Sequence, residues 1–595
     1  MKRCTESRRD YYDDTLLYCL DDGNALLEGP ASGRRETGDG SPENEPATAI
    51  LSEPGAVATG FRGGEDKTRQ QIKSTDQTAI LHTGAEVEPQ ENLGEATEKQ
   101  SFPANRAAKP LVIFGIAALL LMGGFFGYRY FAPGAGQINS IAVMPFANAS
   151  GDPNMDYLSD GVTESIINSL SRLTQLKVMA SSTMFRFKGR ESNPQAVGKE
   201  LGVGAVMTGR MLQQGDKLIV SVELVNVADG TQLWGEQYNR RMSDILTVQE
   251  EITSEVSEKL RLKLSGAEKK RLTKRYTENP EAYQLYLKGV YHASKFNKEE
   301  LDIGLGYLKQ AIAVDPNCAL AYHGLAYYYY LVVDFTMSPH EAMPKAKEAA
   351  KKALEIDDTL AAAHADMATV YWYYEWNWSA AEKEFKRAIE LDPNDAITHE
   401  MYGWYLVTMG RVDEGISEAR RSQQLDPLQQ EHTLVLGWDL YLARRYDEAI
   451  EQYRKAIELE PNYWIGYSWL GHAYAQKRLW PEAVAAFQKA RSIEDVIAEP
   501  LTGLGYVYAV SGQKEEARKV LDELKDRAKH PYVSAYLIAT TYAGLGDKDQ
   551  AFASLEKAYE ARSWYLTHLK LDPKLDSLRS DPRFEQLVQK IFAAK

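Results

Sequence analysis

From about residue 280 onward the chain repeats a helical pattern at a spacing of about 34 residues. That repetition restricts it to a linear stack of helix pairs, because each unit is too small to bury its apolar face alone. The register is plainest in WIGYSWLGHAYAQKRLWPEAVAAFQKA, which begins at Trp464. Tyr467, Leu470, Gly471 and Tyr474 recur along a first helix, and Ala483, Phe487 and Ala490 along a second. Small Gly471 and Ala483 let the two helices approach, while the large residues fill the spaces between neighbours. The preceding unit repeats this phase with Leu436, Gly437, Leu440, Ala449, Tyr453, Ala456 and Pro461. Further copies read AYHGLAYYYYL, HADMATVYWYY, THEMYGWYLVTMG, LTGLGYVYAVSG and YLIATTYAGLG, so about eight units are expected over 280–560. The register is disturbed near VVDFTMSPHEAMP and EWNW, and LDPKLDSLRSDPRFEQLVQKIF predicts a helical cap over 561–595.

These units resemble the tetratricopeptide family. The resemblance implies a curved solenoid whose first helices line a concave groove that takes extended peptides or helices of partner proteins. Carried onto the regular central repeats, the family's groove positions fall at Glu400, Trp404, Val407, Leu434, Trp438, Tyr441, Ser468 and His472. Each is also compatible with packing between repeats.

Residues 138–265 have a different character. SIAVMPF, LKVMA and AVMTGRML read as short buried strands, and KLIVSVELVNV alternates as a half-buried strand should. Asp229-Gly230 marks a tight turn, after which TQLWGEQY returns antiparallel. Helical segments DYLSDGVTESIINSLSRL and PQAVGKELG intervene, and a helix from about Asp244 to Leu264 closes a compact two-layer α/β domain. The stretch from IAVMPFANASGDPNMDYLSDG to GTQLWGEQYNR resembles the amino-terminal domain family named for TolB. In bacterial multidomain proteins that resemblance implies a place between a membrane span and tetratricopeptide repeats.

The run LVIFGIAALLLMGGFFGY (111–128) carries no charge, and 110–131 is long enough to cross a hydrocarbon core as a transmembrane helix. Arg106 and Lys109 precede it, which orients the amino-terminal tail towards the cytoplasm and the carboxyl-terminal domains outside it, in a bacterial inner membrane. Gly123 and Gly127 form a small-x-x-x-small pair that permits self-association through the span. Ahead of it, 23–109 is acidic, aperiodic and rich in Gly, Pro, Ser and Thr, as expected of a disordered linker. The leader, 1–22, resembles a degenerate zinc ribbon. Its thiolates are Cys4 and Cys19, but Ser7 and Asp22 stand where further thiolates belong, so no metal site is expected. The fold class is thus multidomain: disordered tail, one transmembrane helix, two-layer α/β domain and all-α solenoid.

Chemistry is sparse. His399-Glu400 and Glu431-His432 belong to no HExxH motif, and no Walker-type GKS or GKT follows GLGYL, GLGYV or GLGDK. Cys318 has no visible base or metal set and reads as a core residue. The net charge of -15 argues against a nucleic-acid partner. No catalytic residue and no cofactor are expected. The function expected is a membrane-anchored scaffold binding protein or peptide through the repeat groove, or, alternatively, a non-catalytic component of a transmembrane signalling or regulatory system.

Overall fold

The computed structural model describes residues 138–593, except 191–192, 273, 295–297, 334–336 and 528–532, together with three two-residue strands near the amino terminus. Those strands, Lys2–Arg3, Asp10–Tyr11 and Leu27–Glu28, pair antiparallel with Lys2–Arg3 in the middle. Cys4, Ser7, Cys19 and Asp22 of the zinc-ribbon-like leader, the linker expected to be disordered and the apolar run all lie outside the described residues.

The transmembrane reading is corrected. Among the described residues no helix is long and apolar enough to cross a membrane, and 110–131 is not among them. Membrane anchoring, the inner-membrane location with its cytoplasmic tail and periplasmic carboxyl-terminal domains, and self-association through the span are therefore unsupported.

The α/β part holds strands β1 (Ser140–Val143), β2 (Ala147–Asn148), β3 (Lys177–Val178), β4 (Ala205–Gln214), β5 (Lys217–Asn226) and β6 (Gln232–Arg241). The sheet runs β3-β1-β4-β5-β6, with β2 pairing on β4. It is mixed: β1 lies parallel to β3 and β4, whereas β4, β5 and β6 form an antiparallel meander. The last hairpin turns at Gly230, whose positive φ of 74° suits glycine. Helices α1 (Asp156–Ser171), α2 (Ser181–Phe185), α3 (Pro194–Leu201) and α4 (Ile245–Lys259) complete it. Asn193 caps α3 through the amide of Gln195, and Gly198 lets α3 close on Val206 and Val227, where a Cβ would meet their methyls.

Eight helix pairs follow among the described residues, from Pro280–Ala293 with Lys298–Val314 to Ala535–Leu545 with Lys548–Glu560. Pro280 opens the first, capped by Asn279, whose side chain accepts from the amides of Glu281 and Ala282. The turn within a pair needs one left-handed residue, which falls at Gly410, Arg444, Arg478, Gly512 and Gly546, at intervals of 34 residues. Gly471 lies beneath Phe487, where an added Cβ would come within 2.8 Å of the ring. The disturbed register near EWNW is a single π turn over Tyr371–Glu375, closed by left-handed Trp376.

The α/β part is not a bead on a linker. Its core continues into the first helix pair through Tyr283 and Leu287, with Leu287 seated on Gly161 of α1. After the last pair the chain makes two 3₁₀ turns, Trp564–His568 and Pro573–Leu578, and a final helix, Pro582–Phe592. These join the core of the middle repeats rather than merely closing the last pair.

Candidate functional site

All eight expected groove residues are at most 7% exposed: Glu400, Trp404, Val407, Leu434, Trp438, Tyr441, Ser468 and His472. For Trp404 and Trp438 the reason lies in the carboxyl-terminal segment, which packs against their rings. The Trp404 ring stacks on His568 with centroids 5.4 Å apart and meets Trp564 edge-on at 5.6 Å. Trp438 stands edge-on to His568 at 5.7 Å, stacks on Tyr441 at 5.0 Å and carries Lys574 over its ring. Tyr373 stacks on Trp564, and Tyr536 donates to Asp572 at 2.8 Å. At the far rim Arg444 grips Asp576 with two bonds of 2.7 Å.

The other expected residues are used between or within repeats. Val407 packs on Gly415 of its own pair, and Leu434 reaches Gly466 of the next. Ser468 donates to Glu499, whose second oxygen lies 2.8 Å from His472 Nε2. Glu400 pairs with His432, which also meets Asp426 at 3.1 Å. Burial alone would lower the His432 pKa, but the charge of Glu400 and the bonds to Asp426 and Glu400 outweigh it and lift the imidazole to about 10.

That shift has a sign. The folded value lies above the unfolded one, near 6.5, so the stabilisation is complete below about pH 6.5 and is lost as pH rises through about 10. The urea midpoint of the wild-type chain is expected to fall between pH 7 and pH 10, and His432→Gln is expected to flatten that slope. Equal slopes for the two chains would remove His432 as the cause.

One part of the concave face stays open. Ile397 is 49% exposed, and Glu431, at the same position of the next unit, is exposed as well. Tyr463 donates to Glu431 at 3.1 Å. Desolvation and the charge of Glu400 raise its carboxyl to about 7. Glu431 opens the helix Gln430–Leu442 and Arg444 follows it, so an acidic and a basic rim stand about 20 Å apart.

The edge beside the acidic rim is held by the α/β part and by the stretch that joins it to the first pair, through residues that sequence reasoning passed over. The acidic residues that end successive second helices form a ladder. Thr277 donates to Asp315, Lys274 pairs with Asp357, Ser171 donates to Asp392 at 2.6 Å, and Ser182 and Thr183 donate to Asp426. Asn394 donates to the carbonyl of Ser171 (2.7 Å), an acceptor that the end of α1 leaves open, and to that of Leu176 (2.9 Å) just before β3. The recurring VDP and LDP tripeptides were the available signal for Asp315, Asp392 and Asp426, and Asp357 stands at the same place in IDD.

Among the described residues no group of three or more His, Cys, Asp or Glu side chains is placed to hold a metal. Cys318 is fully buried, and burial pushes its thiol up to about 11. The polar clusters around His432 and His472 are consumed in packing between repeats.

Comparison with known proteins accords with the repeats and corrects the α/β reading. Residues 439–477 match a TPR repeat model and 533–563 a tetratricopeptide repeat model. Residues 137–255 match the second domain of HilA/YgeH-like transcriptional regulators, which overturns the resemblance to the TolB amino-terminal domain. A curated relative, "Putative adenylate cyclase 3" of Rhizobium meliloti (strain 1021), is 35% identical over 187 residues, 31% of this chain and 32% of that one. The chain thus spans about a third of that relative, and the activity in its name does not transfer. Among solved structures, pilF of Pseudomonas aeruginosa is 23% identical over 35% of this chain and 90% of its own, with a TM-score of 0.29. Yeast Tom70 is 18% identical over 58% of this chain and 63% of its own, with a TM-score of 0.31. Scores this low carry no argument.

Proposed function

We propose that this chain is a protein-interaction scaffold that holds a segment of a partner protein on the concave face of its helix pairs. One observation carries the reading: that face already seats a stretch of polypeptide, Trp564–Leu578, on an aromatic shelf between two oppositely charged rims. A shelf of Trp and Tyr is the composition that concentrates binding energy in protein interfaces. The open stretch around Ile397 and Glu431 is where a partner first lands, and its acidity favours a segment that is basic at that end.

The test is a selection of displayed peptides on the full chain. Enriched sequences should carry Lys or Arg beside an aromatic residue, bind less tightly as salt rises, and lose about tenfold in affinity to Glu431→Lys, a change of about 1.4 kcal/mol. Glu431 is exposed, so the variant should keep the fold. Enrichment of nothing, or of peptides indifferent to Glu431→Lys, would sink the reading.

A further inference from the structure

The α/β part and the first helix pair share a cavity. Its walls are one face of α1, one face of α4 and the helix Pro280–Ala293. Its volume is about 70 Å³, room for several waters or a molecule of roughly five heavy atoms. Most of the polar lining is spent within the protein. Ser165 donates to Gln249 at 3.4 Å, and Gln249 donates to the Tyr283 hydroxyl at 2.8 Å. Arg172 donates to the carbonyl of Arg271, Lys274 pairs with Asp357, and Arg275 is held by Glu250. Glu164 lines the same cavity, and no cation of the described residues pairs with it. Burial and the charge of Asp160 raise its carboxyl to about 7, against the opposing charge of His323. Water in the cavity would hydrate that carboxylate and leave its charge unbalanced, whereas a cation would balance it.

The aromatic lining favours the same charge. Tyr283 and Tyr286 both face the cavity, with ring centroids 6.4 Å apart. Their phenols are raised by burial and, more weakly, by the charge of Glu164, so rings and carboxylate are neighbours. Aromatic rings attract cations through their electron-rich faces. We propose that this cavity binds a small primary amine, with its ammonium on Glu164 and a short apolar body against Tyr283, Tyr286 and Leu287. The size of the cavity limits that body to about four carbons. Both the α/β part and the first helix pair contribute walls, so a bound amine ties the two together.

The experiment titrates the full chain with butylamine, and with 1-butanol as its uncharged counterpart, at a pH above the Glu164 value so that the carboxylate is ionised. Saturation-transfer NMR on the ligand protons reads the binding. The amine is expected to bind about tenfold or more tightly than the alcohol, as a charge-assisted hydrogen bond allows. Glu164→Gln keeps the shape and removes the charge, so the two ligands should then bind alike. Asn168→Trp, at an exposed position on the cavity wall, should block both. A chain of net charge -15 also gathers amines non-specifically, and that binding survives both substitutions. Equal binding of the two ligands to the wild-type chain, or no binding of either, overturns the site without recourse to a variant. So does a preference for the amine that persists in Glu164→Gln, or binding that persists in Asn168→Trp. None of these outcomes touches the groove, which Glu431→Lys tests separately.

Discussion

Trp404→Ala is expected to destabilise the repeat array by about 3–5 kcal/mol, as large aromatic truncations in cores do. On a free groove wall the same change would cost roughly 0.5 kcal/mol or less, because surface substitutions seldom do more. The difference follows from what the ring touches. Trp404 meets Trp372 from its own side of the groove, and Trp564 and His568 from the carboxyl-terminal segment, and is only 7% exposed. Removing it opens a cavity where units far apart in the chain meet. Urea unfolding followed by circular dichroism measures the effect, and a midpoint within error of wild type would show that the segment does not cover Trp404 in solution.

Gly403→Val should cost at least as much, for the opposite reason. Gly403 and Gly415 face each other across the fourth helix pair. A Cβ on Gly403 would sit 2.8 Å from the carbonyl oxygen of Gly415 and 3.1 Å from the amide nitrogen of Ala419. These obstacles are backbone and cannot rotate away. Overpacking usually costs about 1–3 kcal/mol and sometimes more; here relief requires two helices to part, which places the cost at or above the top of that range. Gly471→Val is the control, because its obstacle is the Phe487 side chain. If Gly403→Val proved the milder of the two, the close approach of the fourth pair would be refuted.

Much of the local structure was legible. The hairpin of Lys217–Asn226 and Gln232–Arg241 shows in the alternation of KLIVSVELVNV and in Asp229-Gly230, because a strand with one buried face writes a period of two into its sequence. Helix pairs were legible for the matching reason: the Leu436–Gly437–Leu440 and Ala449–Tyr453–Ala456 spacings mark faces that must meet. Less was legible of the site. Glu400, Val407, Leu434, Ser468 and His472 follow the family's groove spacing, yet here their side chains are spent on neighbouring helices. Spacing identifies the helix face a residue occupies and not what lies opposite. The charged run at the carboxyl terminus looked like a cap over the last pair because its partners, Tyr373, Trp404, Trp438 and Arg444, stand more than a hundred residues earlier.

By itself the sequence determined the helix pairs and the strands of the α/β part, since each depends on contacts within a few dozen residues. Only the tertiary structure decided what fills the concave face and where the α/β part is held. Both depend on the small rotation from each pair to the next, accumulated over eight pairs, and no single repeat encodes that sum.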